Sequence, residues 1–132
     1  MDYQKTIRPG LSREETFIVE ENHAASHVGS GGSRVLATPW MIAFMERVAY
    51  RLLKEHLGEG ESSVGVLVDV RHMAPTPIGA NIRVKAEVEM LENSQVTFAV
   101  TAWDQFEKIG MGKHRRVVID EERFLRRVLA KQ

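Results

Sequence analysis

The chain of 132 residues is long enough for one domain with a sizeable core, and 43% of its residues are hydrophobic. Eighteen basic and 18 acidic residues give a formal net charge of zero. The overall charge therefore predicts neither a nucleic-acid nor a membrane partner, and near-neutrality favours self-association.

The sequence is predicted to contain no targeting or membrane-spanning segment. Its opening residues lack the apolar core of a signal peptide, and no apolar run in the sequence approaches the ~20 residues of a membrane span. Cysteine is absent, which excludes disulfides and thiolate catalysis, and we expect a cytoplasmic protein.

The first third of the chain is predicted to contain one strand and one glycine-rich loop. β-Branched and aromatic residues predict a strand over residues 15–21. Residues 27–33 are rich in glycine and serine, so they form either a plain connector or a mobile flap over a site.

Residues 38–57 predict the long helix around which the chain is organised. Thr38 is a candidate N-cap, Pro39 suits the first helical position, and Gly58 is a plausible stop. Apolar side chains recur at helical spacing, at Met41, Ile42, Met45, Val48, Ala49, Leu52 and Leu53.

Glu46 is the misplaced residue of this helix. At ~100° per residue, it falls on the apolar arc rather than among the charged residues of the solvent face. A carboxylate in such a place needs a partner, or its pKa rises.

Four strands and a short helix are predicted to follow. Residues 63–73 are mostly apolar and β-branched, which predicts a largely buried strand. Alternation predicts strands over 81–91, 95–103 and 108–120, joined by short turns, and a helix over 121–132. Gly110 and Gly112 inside the last strand indicate a bulge or a close backbone approach. One long apolar helix against one antiparallel sheet is an α+β architecture, and it is compatible with the hotdog fold.

The candidate chemistry lies in Thr38, Glu46 and His72. An imidazole that titrates near neutrality and a partly desolvated carboxylate are suited to general acid–base catalysis, and a nearby hydroxyl orients water or acts as a nucleophile. Each residue also has a structural interpretation. Thr38 would then be only a cap, Glu46 would form a buried ion pair with Arg71 or His72, and His72 would be a structural histidine.

The basic run of residues 113–116 has two interpretations. It is either a solvated strand edge or a contact for the phosphates of a nucleotide-like ligand such as coenzyme A. The histidines share no metal-ligand spacing, so no metal is expected.

Three segments resemble the fluoroacetyl-CoA thioesterase family. They are ATPWMIAFME at the start of the long helix, VRHMAPTPIG after the following strand, and IGMGKHRR in the last strand. The resemblance covers roughly residues 10–125, and the Thr-to-Glu spacing occurs together with the His and Thr-Pro turn.

This resemblance implies a single hotdog domain that hydrolyses a short or small acyl-CoA thioester. It further implies a homodimer with sites near the subunit interface, catalytic roles for Thr38, Glu46 and His72, and substrate binding at Gly65 and Arg116. No cofactor is expected, because coenzyme A enters as part of the substrate. A hotdog enoyl-CoA hydratase and a non-catalytic acyl-CoA binding module are the alternatives.

The segment before Thr38 departs from the family's pattern. The fluoroacetate-specific member of the family carries phenylalanines there, whereas residues 29–33 of this chain contain no aromatic residue. The sequence therefore predicts a different or larger acyl group than fluoroacetyl.

Overall fold

The computed structural model describes residues 2–132, and its five strands form one antiparallel sheet of order β1-β3-β4-β5-β2. The elements in chain order are α1 (Tyr3–Thr6), β1 (Ser12–Ile18), a 3-10 turn (Glu21–His23), α2 (Ala25–Val28), α3 (Thr38–Lys54), β2 (Glu61–His72), β3 (Asn81–Glu92), β4 (Gln95–Trp103), β5 (Lys108–Asp120) and α4 (Glu121–Leu129).

The long helix α3 packs along one face of this sheet. Its apolar arc meets the inward-facing residues of β3 and β4, which alternate with exposed ones as the pleat requires. The buried core includes Phe44, Met45, Val48, Leu53, Val84, Val88, Phe98 and Val100. A sheet wrapped around one central helix is the hotdog arrangement, so the predicted α+β architecture is confirmed. Within residues 2–132, no helix has the length and apolarity needed to cross a bilayer.

Element boundaries agree best with the prediction where alternation is regular. The last two strands lie where expected, and β3 extends one residue further. The first strand was placed three residues too late, because Ser12 to Glu14 pair with β3 through their backbone, which side-chain patterns do not reveal. The long helix ends at Lys54 rather than residue 57, and Glu55, not Gly58, lies at its C-terminal cap.

The prediction that the strand after α3 is largely buried was wrong. Within residues 2–132, β2 pairs only with β5, so it is an edge strand. Val66 is 54% exposed, Leu67 38% and Val68 42%. An apolar edge is unusual for a strand that remains in water, because unpaired backbone groups on such an edge recruit another chain.

The two glycines of β5 mark close approaches, as predicted. A Cβ at Gly110 would collide with the Met41 side chain of α3, and one at Gly112 would overlap the backbone of Asp69 and Val70 in β2. These glycines let β5 approach both α3 and β2 closely.

Candidate active site

Thr38 and His72 meet at the N-terminal end of α3. Thr38 is the first residue of the helix and His72 is the last of β2, and Thr38 Oγ1 lies 2.7 Å from His72 Nδ1. The prediction that Thr38 caps the helix was wrong, because the cap position is occupied by Ala37. The Thr38 hydroxyl therefore hydrogen-bonds to the imidazole and does not cap the helix backbone.

The other ring nitrogen of His72 is buried without a protein partner. Among residues 2–132, Nε2 of His72 is the one buried side-chain nitrogen or oxygen that makes no hydrogen bond. Burial lowers the pKa of the imidazole below its ordinary value, so the neutral ring is favoured. A neutral imidazole with one nitrogen available is the form that transfers protons.

A cleft of about 310 Å³ lies beside this pair, lined by Thr38, His72, Ala25, Ser30, Leu36 and Pro75 among others. Ser30 belongs to the glycine-rich segment before α3, so that segment borders the cleft and is more than a distant connector. A Cβ at Gly29 or Gly32 would meet nothing within 4 Å, so the segment is also loosely packed.

Glu46 lies two turns further along α3 and faces a different cluster. Its side chain is 41% exposed, and its Oε2 lies 3.8 Å from Nη1 of Arg116. Within residues 2–132, it forms an ion pair with neither Arg71 nor His72, so that structural interpretation was wrong. The reason is topological, because both predicted partners lie at the far end of β2.

Arg116 is a buried cation held by three acceptors. Its Nε donates to Ser63 Oγ at 2.9 Å, its Nη2 donates to the Ser63 carbonyl at 3.1 Å, and its Nη1 lies 3.1 Å from His114 Nε2. The solvated-edge interpretation is wrong for His114 and Arg116, which are 1% and 6% exposed. Their strand, β5, lies inside the sheet between β4 and β2, and alternation turns both residues inward.

Gly65 lies beside this cluster, at a β-bulge. The pairing of β2 with β5 shifts register between Gly65 and Leu67, which leaves Val66 without a cross-strand partner. A Cβ at Gly65 would lie 3.0 Å from Glu46 Oε2 and 3.1 Å from His114 Cε1. The absence of a side chain at Gly65 thus keeps space open directly beside the Glu46 carboxylate.

The candidate residues form two groups that are separate within one chain. The first is the Thr38–His72 pair, and the second is the Glu46 cluster, made of Glu46, Gly65 and Arg116. Eight helical residues separate Thr38 from Glu46, about 12 Å of rise. Seven strand residues separate Gly65 from His72, about 23 Å.

The sequence profile of the fluoroacetyl-CoA-specific thioesterase family (FlK) matches residues 19–122. The chain belongs to this family. It is 37% identical over 97 residues to the fluoroacetyl-CoA thioesterase of Streptantibioticus cattleyicolor, which covers 74% of this chain and 70% of the relative.

Solved structures extend the similarity to nearly the whole chain. A structure of the fluoroacetyl-CoA thioesterase superposes with a TM-score of 0.89 at 31% identity, covering 95% of this chain and 97% of that one. A Thermus thermophilus thioesterase superfamily member superposes with a TM-score of 0.85 at 27% identity and 95% coverage of both chains. A hot-dog-like protein from Thermanaerovibrio acidaminovorans, at 24% identity and a TM-score of 0.91, shows the shared fold.

Two polar residues that hold Arg116 were not predicted as candidate site residues, although His114 lies within the basic run of residues 113–116. Ser63 and His114 both hold Arg116, and His114 was set aside because the histidines share no metal-ligand spacing. The spacing of two residues between His114 and Arg116 could have predicted their contact, because it puts both side chains on one face of a strand. In the described part of the chain, no group of three or more His, Asp or Glu side chains is arranged to hold a metal.

Proposed function

We propose that this protein hydrolyses acyl-CoA thioesters to the free acid and coenzyme A. The observation that carries the proposal is the pairing of a half-buried imidazole, His72, with the Thr38 hydroxyl, while its buried Nε2 has no partner in the described chain. Membership of a thioesterase family supplies the substrate class. Coenzyme A enters as part of the substrate, and because CoA thioesters are intracellular metabolites we also expect a cytoplasmic enzyme.

The proposal includes a homodimer, since one chain does not bring the two groups together. The open apolar edge of β2 supports antiparallel pairing with β2 of a second copy. Pairing with the two-fold axis between Val68 and Asp69 would place Gly65 opposite His72 of the partner subunit. Each site would then combine the Glu46 cluster of one protomer with the Thr38–His72 pair of the other.

In this arrangement each residue of the combined site has a separate role in thioester hydrolysis. The Glu46 carboxylate attacks the thioester carbonyl or takes a proton from the attacking water, and Thr38 orients the reacting groups. His72 acts as the acid–base group, delivering a proton to the departing thiolate through Nε2. Backbone N–H groups at the Gly65 bulge stabilise the oxyanion, and Arg116 binds the substrate beside Glu46. The carbon–sulfur bond breaks, and water supplies one oxygen to the acid and one proton to the thiol.

We further propose an acyl group that is different from or larger than fluoroacetyl. The segment that borders the cleft carries glycines where the fluoroacetate-specific relative carries phenylalanines, so no aromatic ring closes over a small acyl group. A screen of acyl-CoA chain lengths that includes fluoroacetyl-CoA tests this point. Best activity on fluoroacetyl-CoA would contradict it.

The test of hydrolysis is free-thiol release by the wild type and two variants. Glu46→Ala and His72→Ala are each expected to lower kcat by about 10²-fold or more while circular dichroism shows an intact fold. Glu122→Ala, the same change at an exposed position on α4, is the control and retains activity. Full activity in both site variants would refute the mechanism, and tight CoA-ester binding without thiol release would indicate a binding module. Hydration of enoyl-CoA without thiol release would indicate the hydratase alternative.

One further measurement separates the two roles of Glu46. In a single turnover in ¹⁸O-labelled water, direct attack by Glu46 forms a mixed anhydride, and its opening by water at the Glu46 carbonyl leaves an unlabelled enzyme oxygen in the first molecule of acid. Activation of water places the label there instead.

A further inference from the structure

We propose that His114 is a positioning residue, which holds the Arg116 guanidinium in place against Glu46 through an imidazole that is neutral and protonated on Nδ1. This inference rests on the proposed function for its effect on catalysis. Its structural content, the protonation state and the restraint on Arg116, is independent of what the enzyme hydrolyses.

The hydrogen bonds of His114 fix its protonation state. Nδ1 lies 2.9 Å from the Leu67 carbonyl oxygen, which only accepts, so Nδ1 must carry a proton and donate. Nε2 lies 3.1 Å from Nη1 of Arg116, which only donates, so Nε2 must accept and carry no proton. The ring is therefore the neutral Nδ1–H tautomer.

The surroundings of the ring favour this neutral form. Arg116 approaches from the same strand and Glu46 from α3, while the ring of Phe98 in β4 stacks at 6.3 Å. Burial lowers the pKa of the imidazole and the Arg116 charge adds to the lowering, while the hydrogen bond to Leu67 and the charge of Glu46 oppose it. A second proton would also remove the acceptor for Arg116 and set two cations side by side.

The contact to His114 completes the restraint on the guanidinium. The two bonds to Ser63 hold Nε and Nη2, and the bond to His114 holds Nη1, the nitrogen that lies 3.8 Å from Glu46 Oε2. His114 thus fixes the nitrogen that faces the carboxylate. Through Nδ1 it also ties that restraint to the bulge at Gly65 and Leu67, where the oxyanion donors of the proposed site lie.

Histidine-selective ¹⁵N NMR tests the protonation state directly in the wild-type protein without substrate. The two ring-nitrogen shifts are expected to show a proton on Nδ1 and none on Nε2 at pH 7.5. A proton on Nε2, or on both nitrogens, would overturn the inference even if the enzyme is an active thioesterase.

Two substitutions separate the two hydrogen bonds. In His114→Gln the amide oxygen takes the place of Nε2 and accepts from Arg116, whereas in His114→Asn the amide nitrogen takes the place of Nδ1 and donates to Leu67. We expect His114→Gln to keep kcat within about threefold of wild type and His114→Asn to lower it at least tenfold. Equal kcat values, or a higher kcat in His114→Asn, would overturn the positioning role.

Hydrogen exchange of the Arg116 Nε–H gives a readout that does not depend on activity. Exchange is expected to be faster in His114→Asn than in His114→Gln, because only the former loses the bond to Nη1 and leaves the guanidinium held by Ser63 alone. A wild type that releases no thiol would refute the proposed function, yet this comparison would still test the restraint. Equal exchange rates in two variants of equal melting temperature would refute the restraint alone.

Discussion

A heterodimer with one inactivating substitution in each chain tests whether the site is shared between subunits. One chain carries Glu46→Ala and the other His72→Ala, each with its own affinity tag, and tandem purification isolates the mixed dimer. The two residues belong to groups that are about 12 Å apart along α3 and about 23 Å apart along β2. In the proposed dimer, each site takes one of these residues from each protomer.

The expected activity follows from counting intact sites. If the site is shared, the mixed dimer has one site with both substitutions and one with none, so it should retain about half of the wild-type kcat per dimer. If the site lies within one chain, each site carries one substitution. Activity should then fall by the full ~10²-fold of the single variants.

The reciprocal heterodimer is the matched control, because it carries the same two substitutions. Here one chain is wild type and the other carries both Glu46→Ala and His72→Ala. A shared site predicts a nearly inactive dimer, since each of its sites lacks one residue. Thiol release by both heterodimers is measured at saturating substrate, and half activity in the reciprocal dimer with none in the first would refute the shared site.

Three further predictions concern the packing of β5, the edge strand β2, and the protonation of His72 and His114. Gly112→Ala forces a methyl into the backbone of β2 and should cost about 1–3 kcal/mol of unfolding free energy. In the control variant Gly32→Ala the new methyl meets nothing within 4 Å, so the unfolding free energy should change by less than about 0.5 kcal/mol. Equal melting temperatures of the two variants would contradict this prediction. Val68→Lys on the β2 edge should convert dimers to inactive monomers, as measured by sedimentation and thiol release. The control Ile18→Lys, on the opposite edge strand β1, should leave the dimer intact. An intact Val68→Lys dimer would exclude pairing through β2. Burial lowers the pKa values of His72 and His114 from 6.5, so the unfolded chain binds protons more readily than the folded one. The free energy of unfolding measured in urea should therefore be highest above about pH 6.5 and decline as the pH falls below it. A free energy of unfolding that does not change with pH would contradict the assigned shifts.

The regular parts of the fold could be predicted because their patterns are local. Alternation in β4 and β5 reports which side chains face the core, and that information is complete within the strand itself. The boundaries of β1 and the cap of α3 were misplaced because backbone pairing and cap geometry depend on neighbours that are distant in the sequence. The apolar character of β2 was read correctly, but an apolar edge and an apolar interior have the same composition.

For the site, the sequence alone determined which groups have suitable chemistry. A carboxylate on an apolar helical arc, a histidine at the end of a strand and a threonine at the start of a helix are all visible as residue types at fixed positions. Their resemblance to a thioesterase family supplied the substrate class. Only the tertiary structure decided which of them meet, because the order of strands in the sheet sets the distances between side chains. That order placed His72 against Thr38, gave Glu46 the buried Arg116 as its neighbour, and left β2 open at the edge.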